Sequence, residues 1–200
     1  MMKTMPMELF EKELKGSYVT LHKFHKDYIS EIYNIANDER IWRFNKPEDQ
    51  PIKQFLLHYI EMLNTQIGAN TQWPYVVIQN DSQAVIGSTR FYDISFSDKR
   101  IAIGFTWYHP SVWGTKVNPE CKYLLLTHVF ETLKYNRVEF HIDSRNEHSI
   151  NAVKKLGAQY EGTLRKHKIV QHNFVRDTVV YSIINSEWPD IKQKLLYRIR

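Results

Sequence analysis

Three strand-like runs crowd the middle of the chain: Trp73–Gln79 (WPYVVIQ), Ala84–Asp93 (AVIGSTRFYD) and Arg100–Tyr108 (RIAIGFTWY). The turn signal Asn80-Asp81-Ser82 joins the first two. A link that short pairs strands antiparallel, because parallel neighbours need a crossover of about a dozen residues. Around this block, periodicity places the other elements. Ser17–Phe24 alternates with period two and reads as a strand. Asp27 is placed to cap a helix with Ile29, Ile32, Tyr33 and Ile35 or Ala36 inward, and a second helix covers Ile52–Ile67. Beyond Tyr108 a helix runs to about Leu133, with Leu124, Leu125, His128, Val129 and Leu133 as its inner face. Arg137–Asp143 follows as a strand, Ser149–Leu156 as a helix stopped by Gly157, and Arg176–Ile184 as a late strand. Ser186 is placed to cap a last helix carrying Trp188, Ile191, Leu195, Leu196 and Ile199. This order predicts an α/β (α+β) layer fold on a largely antiparallel sheet, with Gly104 marking a site for a bulge.

The 200 residues hold no linker or repeat, so one domain is expected, with its core over about residues 17–197. No apolar run reaches bilayer length and Met1–Gly16 lacks the apolar centre of a signal peptide, which favours a cytoplasmic setting. A single cysteine, Cys121, excludes an internal disulfide, offers no metal spacing, and reads as a buried helix residue. Net charge is 27 − 22 = +5, dispersed along the chain apart from Arg165–Lys168 and the stretch Lys192–Arg200. Nucleic-acid binders concentrate charge on one face, so an RNA- or ribosome-associated role is the weakest reading.

The segment His109–Glu120 (HPSVWGTKVNPE) is a loop opening into a helix. Asn118 can cap, Pro119 fits a first-turn position, and Glu120 suits the positive end of the helix. Main-chain amides at such a start bind phosphate, and Gly114, Thr115 and Lys116 add a permissive backbone, a hydroxyl and a positive charge.

Taken with Asp143–Ala158 (DSRNEHSINAVKKLGA), the chain resembles the GNAT acetyltransferases, in particular the RimJ/RimL-type branch that acetylates ribosomal-protein N-termini. The ordered features are Ile103-Gly104-Phe105, His109-Pro110, Trp113-Gly114, Glu120, Asn146 and Ser149, Lys155-Leu156-Gly157, Glu161-Gly162, and Arg176-Asp177-Thr178. The resemblance implies a mixed sheet with helices on both faces. It also implies acetyl-CoA as co-substrate, no metal, an amine acceptor, and a monomer or homodimer. The pantetheine arm would lie by Trp107 and Tyr108, between the strand ending there and Arg137–Asp143. The pyrophosphate would rest on Trp113, Gly114, Thr115, Lys116, Val117 and Asn118. The family pattern Gln/Arg-x-x-Gly-x-Gly/Ala meets Trp113, Lys116 and Asn118 here, so the cradle must work without those glycines.

Acetyl transfer needs a neutral amine, an oxyanion donor and an acid for the leaving thiolate. At pH 7 an N-terminal amine is neutral about a tenth of the time and a lysine about once in a few thousand, so the former asks less of a base. The resemblance places Asn146 by the pantetheine and Ser149 by the thiol as its proton donor, since Val153 stands where other branches carry a tyrosine. Ala102 replaces a carboxylate common in the central strand, and a base position used by some relatives falls on Lys168. The neighbouring His167 is the candidate base, directly or through water. Trp42, Phe44 and Trp73 are candidate walls of an acceptor pocket, with core packing as the competing role. The rival to turnover is a coenzyme A sensor that has lost catalysis.

Overall fold

Trp73–Gln79 is buried at every position except the last. Such a run suits a strand covered on both faces, and it sits near the middle of an eight-stranded sheet. The computed structural model describes residue 10 and residues 13–44, 49–68, 72–170 and 173–200. In chain order the strands are β1 (Leu14–Lys15), β2 (Val19–Lys23), β3 (Trp73–Gln79), β4 (Val85–Ser95), β5 (Arg100–Tyr108), β6 (Arg137–Asp143), β7 (Gln159–Val170) and β8 (Phe174–Ile184). The α-helices are α1 (Ile29–Ile35), α2 (Ile52–Gly68), α3 (Val117–Thr127), α4 (Glu147–Leu156) and α5 (Trp188–Ile199). Spatial order is β1-β2-β3-β4-β5-β6-β8-β7. All neighbouring pairs are antiparallel except β5–β6.

Two apolar layers sandwich the sheet. One contains Leu124 and Leu125 of α3, Val153 and Leu156 of α4, and Trp188, Ile191 and Leu195 of α5. The other holds Ile32 of α1, Leu56, Tyr59 and Leu63 of α2, and Trp42 and Trp107. The expected mixed sheet with helices on both faces is therefore present. Among the described residues no helix is long and apolar enough to cross a membrane.

Several local expectations need correction. Asp27 lies inside a short 3₁₀ turn, Lys26–Tyr28, capped by His25, and α1 starts after it without a side-chain cap. Glu187, not Ser186, occupies the N-cap of α5. α3 opens at Val117, one residue before Asn118, and continues through a π-helical turn at His128–Thr132. β7 had no expected counterpart over most of its length. It is an edge strand exposed at most positions, so no buried face imposes alternation on its sequence.

The parallel pair β5–β6 runs in register only over Arg100–Ala102 against Arg137–Glu139. Beyond that the strands part, and a bulge in β5 explains the departure. Ser88 and Arg90 of β4 pair with Trp107 and Gly104, so β5 carries one extra residue in that interval. Phe105 takes φ 50, the left-handed conformation a bulge requires. Gly104 beside it permits close packing, since a Cβ there would stand 2.8 Å from a ring carbon of Tyr92. Gly104→Ala should lower stability by about 1–3 kcal/mol through overpacking, read as a shifted urea midpoint. An unchanged midpoint would show that the Tyr92 ring yields freely.

Candidate functional site

The opening between β5 and β6 has two differently furnished sides. On the α3 side, Lys122 Nζ donates to Thr106 Oγ1 at 3.1 Å and lies 5.9 Å from the Phe140 ring centre. Thr106 Oγ1 in turn shares a 2.7 Å hydrogen bond with Thr89 Oγ1. Burial pushes the Lys122 amine down to about 8. On the α2 side stand Tyr92, Phe105 and His141, with ring centres of Tyr92 5.2 Å from Phe105 and 6.1 Å from His141. The His141 main-chain N–H faces the Tyr92 hydroxyl, and burial raises that hydroxyl far above its usual range. The buried Arg90 guanidinium stacks on Phe105 at 4.2 Å and donates to Tyr59 Oη at 3.1 Å.

At one end of the opening lies the loop before α3. Gly114 adopts φ 76, with nothing within 4 Å of where a Cβ would stand. Among the described residues, the N–H groups of Gly114, Lys116 and Asn118 donate to no protein acceptor. They fit a diphosphate, because the helix start adds partial positive charge to unpaired amides. Asn118 does not cap; its side chain accepts from Tyr108 Oη at 3.2 Å. Thr115 Oγ1 turns back to the Val112 carbonyl at 2.7 Å, and Lys116 Nζ reaches Tyr18 Oη at 2.9 Å and the Arg200 main-chain oxygen at 2.5 Å. Trp113 donates its indole N–H to the Tyr108 carbonyl at 2.9 Å, and its ring centre lies 6.4 Å from that of His148 in α4. That contact closes the loop against the second sequence segment of interest.

In α4, Asn146 Oδ1 accepts from the Ser149 N–H at 3.0 Å, so Asn146 is the N-cap. The Ser149 hydroxyl makes no hydrogen bond to a described residue. Arg145 clamps Asp143 through Nε at 3.0 Å and Nη2 at 2.8 Å. His167 stands on β7, its Nδ1 3.1 Å from Thr178 Oγ1. Its pKa is lowered by partial desolvation first, then by Lys168, Arg176 and His141, so His141 and His167 face one region. A β7 irregularity between Leu164 and Lys168, with Lys166 at φ 50, puts His167 rather than Lys168 over Thr178. His141 Nε2 lies 2.8 Å from Glu139 Oε2, a partner that holds Glu139 down at about 2 together with Arg137.

The candidate pocket aromatics separate. Trp42 and Trp107 pack with Tyr59 in the α2 layer, ring centres of the two tryptophans 5.4 Å apart. Phe44 is half-buried nearby in sequence, under the Arg43 guanidinium at 5.6 Å. Trp73 belongs to the opposite layer, against Phe10 at 4.7 Å. Cys121 is fully buried, and burial pushes its thiol up to about 12. Asp93, Glu139 and His141 bring ligand atoms within 4.8 Å of one another, yet Arg100 at 3.2 Å and Arg137 at 2.8 Å already neutralise the two carboxylates. Lys122 and Tyr92 escaped the sequence reading. Lys122 had a visible signal: it lies three and seven residues before the inward Leu125 and Val129, a buried helix position for a charged side chain.

The chain as a whole has counterparts among known proteins. Residues 19–159 match the family model described as an acetyltransferase (GNAT) domain. The chain belongs to the GNAT acetyltransferase family. It is 26% identical over 129 residues to the uncharacterized N-acetyltransferase p20 of Bacillus licheniformis, covering 64% of this chain and 71% of that protein. It is 26% identical over 161 residues to the uncharacterized N-acetyltransferase YoaA of Bacillus subtilis strain 168, covering 80% and 83%. A crystal structure from T. thermophilus, assigned as an acetyltransferase, superposes with TM-score 0.82 at 30% identity, covering 94% of this chain and 97% of that one. Family and fold support acetyl transfer to an amine.

Glu120 fixes the GNAT loop from behind. Its carboxylate, 3% exposed, accepts from the N–H groups of Ser17, Tyr18 and Val19 at 2.8, 2.7 and 2.8 Å. Glu120→Ala would leave three donors of the β2 start unpaired, at about 1–3 kcal/mol for each that stays dry. Urea denaturation should show a loss of at least about 2 kcal/mol, and a loss within error of zero would mean that water replaces the carboxylate.

Proposed function

We propose that this protein is an acetyl-CoA-dependent N-acetyltransferase of the RimJ/RimL-type branch, acting on a protein N-terminus or a small primary amine. The observation that carries the reading is the opening between β5 and β6 with three unpaired amides at its mouth. Acetyl-CoA, when bound, supplies the acetyl group as an activated thioester. The amides of Gly114, Lys116 and Asn118 hold its diphosphate, while Trp113, Thr115 and Val117 shape the loop. Trp107, Tyr108 and Asn146 border the arm. The acceptor enters on the α2 side, where Trp42 and Phe44 belong to its surroundings.

In this scheme the amine attacks the thioester directly. His167 takes the amine proton, and its lowered pKa keeps the imidazole neutral around pH 7. The free hydroxyl of Ser149 gives a proton to the departing sulfur and regains one through solvent, which also takes the proton gained by His167. Ala102 motivates the competing sensor reading, which requires binding without turnover.

Both readings meet one assay: release of coenzyme A thiol from acetyl-CoA with peptides beginning in Ala, Ser or Met, with polyamines and with amino acids. An enzyme gives amine-dependent thiol release; a sensor binds the coenzyme and releases none. Ser149→Ala should lower kcat by about 100-fold or more, in the range for general acid–base groups. Because the His167 pKa lies below its ordinary value, the proton-accepting form is present above that value and disappears as pH falls through it. The acid limb of kcat/KM should therefore lie below about pH 6.5 and vanish in His167→Gln. A limb unchanged by that substitution removes His167 from the scheme.

A further inference from the structure

Lys122 is 8% exposed, and among the described residues its amine has Thr106 Oγ1 as its hydrogen-bonding partner and no carboxylate in ion-pair reach. An ammonium group offers three donors, and leaving donors dry is costly. Burial of a lone cation weakens a fold unless a partner arrives. The position of this amine says where the partner comes from. Thr106 lies on β5 beyond the bulge and Phe140 on β6 beyond the last paired residue, Glu139. Lys122 Nζ sits against both, so it forms part of the floor of the opening. The fully buried Thr89 hydroxyl backs Thr106, which steadies the amine.

We infer that Lys122 is a ligand-binding residue, donating from the floor of the opening to a carbonyl oxygen on the amide-and-thioester arm of coenzyme A. An extended arm lying between β5 and β6 carries carbonyl oxygens and no charge, so it suits a donor that has no carboxylate beside it. The depressed pKa fits this role, since a weakly basic amine still donates hydrogen bonds in either protonation state. The inference rests on the acetyl-CoA reading above.

Calorimetric titration of the full chain separates the two. The ligands are acetyl-CoA, coenzyme A and 3′-phospho-ADP, the nucleotide end without the arm. Lys122→Met should weaken acetyl-CoA and coenzyme A by about 10–100-fold, as for a hydrogen bond from a charged group. Binding of 3′-phospho-ADP should stay within about twofold. The melting temperature at pH 7 should hold or rise, because an unpaired buried amine has been replaced by an apolar chain of similar length. Unchanged acetyl-CoA affinity overturns the inference, as does equal weakening of all three ligands with a lower melting temperature, which marks a structural lysine. If the wild-type protein binds none of the three, the coenzyme reading itself fails. Should Lys122→Met not fold, Thr106→Val removes the hydroxyl that aims the amine. That variant should bind acetyl-CoA more weakly and 3′-phospho-ADP normally, and unchanged acetyl-CoA binding again overturns the inference.

Discussion

One extra residue in β5 governs the rest of the molecule. Without the bulge at Gly104–Phe105, β5 and β6 would remain zipped as ordinary parallel neighbours along their shared length. With it, the strands diverge after Ala102 and Glu139, and main-chain groups in the middle of a sheet lose their partners. Unpaired backbone inside a fold is costly, so such an opening persists only where the surrounding packing enforces it. Tyr92 does much of that enforcement. Its ring occupies the space that a side chain at residue 104 would need, and its hydroxyl meets the His141 N–H across the divide.

The helix start at the mouth of the opening departs from the glycine-rich pattern of the family, and its construction shows how. Free amides do the binding in such cradles, and a side chain matters only where its Cβ would clash. Gly114 takes the one left-handed position. Lys116 and Asn118 need no glycine because their side chains turn away, Lys116 to Tyr18 and the Arg200 carbonyl oxygen, Asn118 to Tyr108. Glu120 then ties α3 to the start of β2 through three main-chain donors, which anchors the cradle on the sheet rather than on a free loop. A residue read from sequence as a partner of the helix dipole turns out to have a longer reach.

Legibility followed burial. β3 matched its sequence boundaries through burial on both faces, and β5 and β6 matched theirs because flanking turn residues leave few alternatives. The Asn146 cap and the Gly157 stop were equally plain, since both rest on local chemistry. β7 escaped notice because an exposed edge strand imposes no pattern, and its irregularity near Lys166 decides which of two adjacent residues faces Thr178. The strand tryptophans Trp73 and Trp107 look alike in sequence but lie on opposite faces, a matter of strand register that spacing alone does not carry. Lys122 shares the inward face of α3 with Leu125 and Val129, a spacing the sequence displays, whereas its contacts with Thr106 and Phe140 depend on where β5 and β6 part.

A crystal structure of the protein with coenzyme A tests the central claim most directly. The account predicts an extended arm between residues 103–108 and 140–143, with diphosphate oxygens in hydrogen-bond range of the Gly114, Lys116 and Asn118 amides. A ligand seated elsewhere, with that opening closed by direct pairing of the two strands, would contradict it.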